Sequence, residues 1–375
     1  MKNLGLYIHI PFCEQKCAYC DFCSNPSWLE KQGEYIEKMK QELMEYKLLF
    51  DEICFDTIFI GGGTPSTLGN GMIKKIIDLI KENFKISKTC EITIEVNPHS
   101  FTENKLKEYI DAKINRISMG IQTLNDDLLK LINRKQTKED CITALNLLNK
   151  YNFKNFNVDI MLGLPSQTKD DALNDLHVLL KYNPTHISVY SLILEENTPL
   201  FKNKNQFDFA LDEYVVDVYD EIHNELTKIQ YNRYEISNYC LEGFECKHNL
   251  NYWETGEYIG VGLSAHSHIN NIRYANTKVF DDYLTCSTFE EIRESETLTK
   301  LEQLNEFIML SLRTQKGINI IKFKKKFKKN LLKDKKAEIQ ILLKNKFINL
   351  KGGHLKIDEK CFYLSNPIIT KLMYD

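Results

Sequence analysis

The sequence predicts an α/β protein: a series of parallel strand-to-helix units followed by a small helical module with a hairpin. Three observations carry this prediction. Short apolar, β-branched runs bounded by Gly, Pro or polar residues alternate six times with helix-like stretches. Each unusual motif up to Ser191 lies within, ends or follows one of those strands. From about Glu294 the chain changes to lysine-rich amphipathic segments.

Taken in order, Leu6–Ile10 is a strand, followed by the helical pattern Glu34–Phe50. Thr57–Ile60 precedes Met72–Phe84, and Glu91–Val96 precedes Thr102–Ala112. Arg116–Ile121 leads to Lys138–Tyr151, Asn157–Leu162 to Lys169–Lys181, and His186–Leu192 to Ala210–Ile229. Such a succession implies a parallel sheet with right-handed crossovers, either open and doubly wound or curled into a barrel. Both forms gather their chemistry at the C-terminal ends of the strands. Further on, Leu298–Arg313, Ile318–Phe327 and Lys335–Asn345 read as helices. Phe347–Lys356, turning at Gly352-Gly353, reads as a hairpin, so this part resembles a winged-helix module.

At 375 residues the chain is long enough for two or three domains, and 43% hydrophobic with 27% charged residues excludes general disorder. The net charge of −3 conceals an asymmetry. Residues 314–375 hold 16 Lys against 5 acidic groups, a net of +11, whereas the preceding 313 residues carry −14. Solvated helix faces account for such a lysine bias, and so does a docking face for an anionic membrane surface or an acidic partner. Eleven cysteines cannot all pair in a disulfide framework. No run approaches the ~18 apolar residues of a membrane helix. Met1–Phe12 is apolar, but His9 and Pro11 interrupt it and no small-residue cleavage site follows. A cytoplasmic protein with reduced thiols is the expectation.

Cys13-x-x-x-Cys17-x-x-Cys20 comes directly after the first strand. Three thiolates this close can hold three irons of a cubic iron–sulfur cluster and leave the fourth open for a ligand. Zinc is the competing reading, although structural zinc usually takes four ligands in two clustered pairs. Cys23 is near enough to be a fourth ligand. The scattered Cys54, Cys90, Cys141, Cys240, Cys246, Cys286 and Cys361 suit buried small hydrophobes. Glycines at Gly61-Gly62-Gly63 let a backbone approach a ligand closely, and Glu95 at a strand end suits ribose hydroxyls.

With its GGGT loop after the second strand, the cysteine motif resembles the radical S-adenosylmethionine superfamily. The resemblance continues through Tyr7–Cys13, Gly61–Ser66, Glu95–Pro98, Ser118–Gln122 and Asp159–Pro165, which are similar to the oxygen-independent coproporphyrinogen III oxidase-like group. It implies a partial (β/α)6 barrel over residues 1–235 and a [4Fe-4S] cluster on Cys13, Cys17 and Cys20. It also implies S-adenosylmethionine contacts from Tyr7, Tyr19, Gly62, Gly63, Thr64, Glu95, Gln122, Arg134 and Asp159. By their composition alone, Asn133-Arg134-Lys135 would be solvated surface.

Lys247-His248-Asn249-Leu250-Asn251-Tyr252-Trp253 is the second constellation. A neutral imidazole can ligate haem iron and aromatic rings can pack on a porphyrin, yet the same residues also suit a satisfied histidine beside core aromatics. His-Asn-x-x-Tyr-Trp and Cys20-Asp21-Phe22 resemble the haem chaperone branch of this group. That branch implies haem contacts from His248, Asn249, Tyr252 and Trp253, with His248 the first choice and His266 and His268 the alternatives. Cys23 lies outside the branch pattern. The division expected is the barrel, a segment 236–293 closing it, and a basic winged-helix-like domain over 294–375.

The function this implies is haem binding and delivery to respiratory or other haem proteins, with homodimers linked through cluster or haem. Peripheral membrane contact would run through the basic domain. The enzymatic alternative is an oxygen-independent coproporphyrinogen III dehydrogenase, and dehydrogenase activity is not expected of the chaperone branch. A nucleic-acid-modifying radical enzyme is a third class; nucleic acid is not the expected partner.

Overall fold

The computed structural model describes residues 2–50 and 53–375. The strands are β1 (Lys2–Ile10), β2 (Ile53–Gly62), β3 (Lys85–Val96), β4 (Arg116–Gln122), β5 (Phe156–Leu162) and β6 (His186–Ser191). They continue with β7 (Asn232–Arg233), β8 (Asn238–Cys240), β9 (Tyr258–Val261), β10 (His266–Ile269), β11 (Ile272–Asn276) and β12 (Arg293–Thr297). One sheet holds all twelve in the order β12-β11-β10-β9-β1-β2-β3-β4-β5-β6-β8-β7. Strands β1 to β6 pair successively and in parallel, as the alternating pattern predicts. Because β6 pairs with β8 and not with β1, the sheet curls without closing, which makes a partial (β/α)6 barrel.

Helices Gln32–Leu49, Met72–Asn83, Glu103–Asp111, Lys138–Lys150 and Lys169–Leu180 lie in the connections between the parallel strands, and Asp212–Lys228 follows the last of them. Threonines start three of them. Thr102 caps Glu103–Asp111, while Thr137 with Asp140 and Thr168 with Asp171 form reciprocal capping boxes. Leu6, Ile8 and Ile10 alternate toward the outer helices, where Ile73, Ile76, Ile77 and Ile80 meet the sheet. Each such burial stabilises by about 1.5–3 kcal/mol. The intervening positions, Tyr7, His9, Thr57, Phe59 and Glu95, turn into the barrel, as the period of two requires.

Segment 236–293 contains more structure than its sequence suggests. Strand β9 joins β1 in parallel, and β10, β11 and β12 extend the sheet antiparallel. The helix Lys247–Trp253 lies against β2 and β3, with Glu91 accepting from the backbone N–H groups of Lys247 and His248 at 3.2 Å each. A carboxylate there meets the positive end of the helix. Strands of four or five residues containing His, Ser, Arg and Asn carry too little apolar alternation to be read in advance.

The C-terminal part has its own core, formed by Leu304, Phe307, Ile308, Phe323, Leu342, Leu355 and Leu372. Helices Lys300–Leu312, Ile320–Phe327 and Lys336–Lys344 surround a three-stranded sheet of β13 (Ile318–Asn319), β14 (Ile348–Lys351) and β15 (His354–Ile357). A final helix, Ser365–Leu372, was not evident from the sequence and packs on Lys300–Leu312. Among the described residues no helix is long and apolar enough to cross a membrane, and none of the cysteines is paired.

Candidate functional site

The loop after β1 and the glycine loop after β2 are tied together by backbone. The Gly63 N–H donates to Ile10 O at 2.8 Å and the Thr64 N–H to Phe12 O at 2.7 Å. This brings Cys13 Sγ to 3.4 Å from Thr64 Oγ1. A pocket of about 160 Å³ results at the C-terminal rim of the barrel, and Cys13, Cys17 and Cys20 all line it. So do Tyr19, Gly62, Gly63, Thr64, Glu95, Gln122, Arg134 and Asp159. Of the residues expected around S-adenosylmethionine, only Tyr7 lies outside this lining.

Tyr7 sits beneath. Its hydroxyl donates to His9 Nδ1 at 3.0 Å, because His9 Nε2 must donate to the Cys23 carbonyl at 2.8 Å. Burial holds His9 down to about 4, so the imidazole is neutral. Cys23 thereby acts through its backbone, while its thiol points to the Lys278 carbonyl at 3.7 Å.

Two glycines are dictated by space. A Cβ on Gly63 would stand 2.7 Å from Phe12 O and 3.0 Å from Cys13 Sγ. Gly62 has φ +111°, and a Cβ there would stand 2.7 Å from the His9 ring. The loop can pass behind the thiol only without side chains, a cradle suited to a bulky group on the cysteines. The three thiols line one wall; among the described residues no three His, Cys, Asp or Glu side chains gather around a single ion position.

Opposite lies the charged side. Glu95 accepts from the Gly62 N–H at 3.1 Å. Burial and the negative Asp159 push its carboxyl up to about 8, and burial also raises Asp159, which accepts from Asn157 Nδ2 at 2.7 Å. Arg134 is not solvated surface. It donates to Tyr19 Oη at 3.0 Å, Gly120 O at 2.8 Å and Gln136 Oε1 at 2.7 Å, with Cys17 Sγ 3.7 Å away. Gln122 reaches the pocket through a slip in the β4–β5 register after Gly120, taking φ +70°. Sequence reasoning gave no role to Lys16, Asn97 and Ser118, which also line the pocket, and quoted Phe22 only as part of Cys20-Asp21-Phe22. Asn97 and Ser118 stood inside quoted motifs; Lys16, donating to the Phe22 carbonyl at 3.0 Å, carried no signal.

The second constellation is placed differently. His248 is 1% exposed on the helix Lys247–Trp253, with Nδ1 2.8 Å from Thr57 Oγ1 and Nε2 2.7 Å from Tyr252 Oη. Burial pushes it down to about 3. Both ring nitrogens of His248, the first choice for a haem contact, are engaged within the protein, as in a satisfied core histidine. Asn249, Tyr252 and Trp253 are half-buried. Tyr252 lines a separate cavity of about 670 Å³ together with His266 and His268.

Comparison with known proteins completes the description. The radical SAM superfamily pattern matches residues 7–179, and the HemN C-terminal domain pattern matches residues 298–364. The Heme chaperone HemW of Lactococcus lactis subsp. lactis is 34% identical, over 100% of this chain and 98% of that protein. The Buchnera aphidicola (Schizaphis graminum) protein of the same name is 40% identical over 92% and 93%, and the Escherichia coli one 37% over 72% and 71%. The coproporphyrinogen III oxidase HemN of Escherichia coli, a radical SAM enzyme, superposes with a TM-score of 0.86 over 99% of this chain and 90% of that one. At 22% identity that likeness shows a shared fold. By the extent and identity of these matches, the chain belongs to the heme chaperone HemW family of the radical S-adenosylmethionine superfamily.

Proposed function

We propose that the chain binds haem and delivers it to respiratory or other haem proteins, using a barrel that holds a [4Fe-4S] cluster and S-adenosylmethionine. The observation that supports this most is one pocket lined by three thiols and by eight of the nine expected S-adenosylmethionine residues, in a chain whose relatives are named haem chaperones. Cys13, Cys17 and Cys20 would hold the cluster, which when bound supplies an electron to the sulfonium of S-adenosylmethionine. Glu95 would accept from ribose hydroxyls, Gly62, Gly63 and Thr64 would admit the methionine end, and Arg134 would fix Tyr19 beside the thiols. Gln122 and Asp159 would line the nucleoside side, with Tyr7 supporting Glu95 from below.

In this reading residues 1–235 are the cofactor barrel, 236–293 the haem-recognition segment and 294–375 a basic docking module. Ile321 is 77% exposed on the lysine-rich helix Ile320–Phe327 and lies among exposed lysines, a face suited to an anionic membrane or an acidic acceptor. A chain ending at Arg313 tests that role: retained vesicle and acceptor binding would remove it.

Anaerobic reconstitution with iron and sulfide, followed by haemin titration and transfer to an apo-haemoprotein, tests the whole. A Soret shift and transfer are expected; failure of the reconstituted chain to bind haemin removes the chaperone reading. Incubation with coproporphyrinogen, reductant and S-adenosylmethionine is the companion assay, and conversion to protoporphyrinogen would favour the dehydrogenase instead.

A further inference from the structure

The cavity of about 670 Å³ lies away from the cysteine pocket, between β9–β12 and the helix Lys300–Leu312. Its size falls within the range of small-molecule sites. Tyr252, Tyr258, His266, His268, Arg273 and Leu310 line it. The register explains why these side chains meet. His268 pairs with Tyr258 on β9 and with Arg273 on β11, and directly paired residues share a face. His266, two residues before His268, shares it too.

Aromatic edges continue the wall. The Tyr252 and Tyr258 rings lie 4.6 Å apart at 76°, and the Tyr258 and His268 rings 6.4 Å apart at 67°. Tyr252 is held there by its hydroxyl contact with His248. The motif histidine therefore orients the wall of the cavity and does not enter it.

Two features point to a ligand. His268 is only 9% exposed, yet its Nε2 has no hydrogen-bond partner although the Gly256 carbonyl lies beside the ring. Native folds rarely bury a ring nitrogen without a partner. His266 is exposed and lines the same cavity. Charge is also provided for. Arg273 is paired with Glu296 and Glu306 and offsets part of the charge that these two and Glu294 bring to the lining. Lys326 of the basic module reaches Thr255 on the cavity wall at 3.1 Å and brings an ammonium to the rim.

We propose that this cavity is the haem site, with the porphyrin against Tyr252 and Tyr258 and the iron ligated by one imidazole of the His266–His268 pair. The proposal rests on the chaperone reading above and assigns its cargo a place. Strand neighbours on one face cannot reach opposite sides of one iron, so this edge supplies a single axial ligand. Lys326 is then positioned for a propionate.

The test uses the full chain, titrated with haemin and with iron-free protoporphyrin IX, followed by absorption and by electron paramagnetic resonance of the ferric state. The expected result is at least a tenfold loss of haemin affinity in His266→Ala/His268→Ala, with a changed axial signature. Protoporphyrin IX affinity should stay as in the wild type, because only the iron bond is lost. Leu310→Trp, which fills the cavity, should weaken both ligands, and His354→Ala in the distant hairpin neither. Wild-type haemin affinity and spectra in both the double histidine variant and Leu310→Trp would overturn the groove while leaving the chaperone reading in place. Absence of haemin binding by the wild type would overturn the chaperone reading and the groove with it.

Discussion

Replacing Gly63 with alanine adds one methyl group where the two halves of the cofactor pocket are closest. The new carbon would stand 2.7 Å from Phe12 O, 2.9 Å from Ser24 Cβ and 3.0 Å from Cys13 Sγ. Ordinary contacts begin near 3.4 Å, so each neighbour must retreat by several tenths of an ångström. Phe12 O cannot retreat alone, since it accepts the Thr64 N–H at 2.7 Å, and Gly63 itself is held to Ile10 O at 2.8 Å. Overpacking of this kind costs about 1–3 kcal/mol, and the movable partner is the Cys13 side chain. Gly63→Ala should therefore lower the melting midpoint by only a few degrees while cutting cluster incorporation several-fold. The assay is iron and sulfide content with visible absorption after anaerobic reconstitution, alongside thermal unfolding of the apo chain. Full cluster occupancy in a folded Gly63→Ala chain would refute the claim that this glycine makes room for the group on Cys13.

Three more outcomes can be checked by unfolding and titration. Glu95 is raised to about 8 from 4.5, so the apo chain should be most stable below pH 4.5 as far as this group is concerned, and should lose that contribution as pH rises through 8. Glu95→Gln should flatten this part of the denaturant-midpoint profile. Arg293 donates to the fully buried Glu42 at 3.0 Å and to Glu45 at 2.7 Å, joining β12 to the helix Gln32–Leu49. Arg293→Ala should cost about 3–5 kcal/mol at neutral pH by leaving the buried Glu42 carboxylate without its counter-charge, with only Gly262, Asn276 and Tyr283 still donating to it, and less as falling pH protonates a carboxyl that burial already raises. Gly260→Ala places a Cβ 2.0 Å from His266 O, so β9 and β10 must separate; urea unfolding should show a loss of more than about 2 kcal/mol, and haemin affinity should fall with it.

Six parallel strands and their helices were legible because each is a buried β-branched run or a capped amphipathic pattern, signals that depend on near neighbours alone. The threonine boxes at Thr137 and Thr168 show how local that information is. The rim chemistry was legible for the same reason: Cys13, Gly62, Glu95, Gln122 and Asp159 are positioned by strand ends, and parallel strands place their ends together. The region from Lys247 to Thr297 was not, because its strands are short and polar and acquire their faces only by pairing with β1 and with one another. Arg134 belongs to the same class, since its charge finds Tyr19, Gly120 and Gln136 only after β4 and the cysteine loop are side by side.

By itself, then, the sequence determined the α/β alternation, the cysteine spacing and the acidic barrel with its basic appendage, since composition, periodicity and motif spacing are properties of the chain. Only the tertiary structure decided which histidine has a nitrogen to offer. His248 lies within the motif but is enclosed by Thr57 and Tyr252, whereas His266 and His268 outside it face a cavity. A side chain's availability depends on what packs against it, and for these histidines that packing comes from strands and helices remote in sequence.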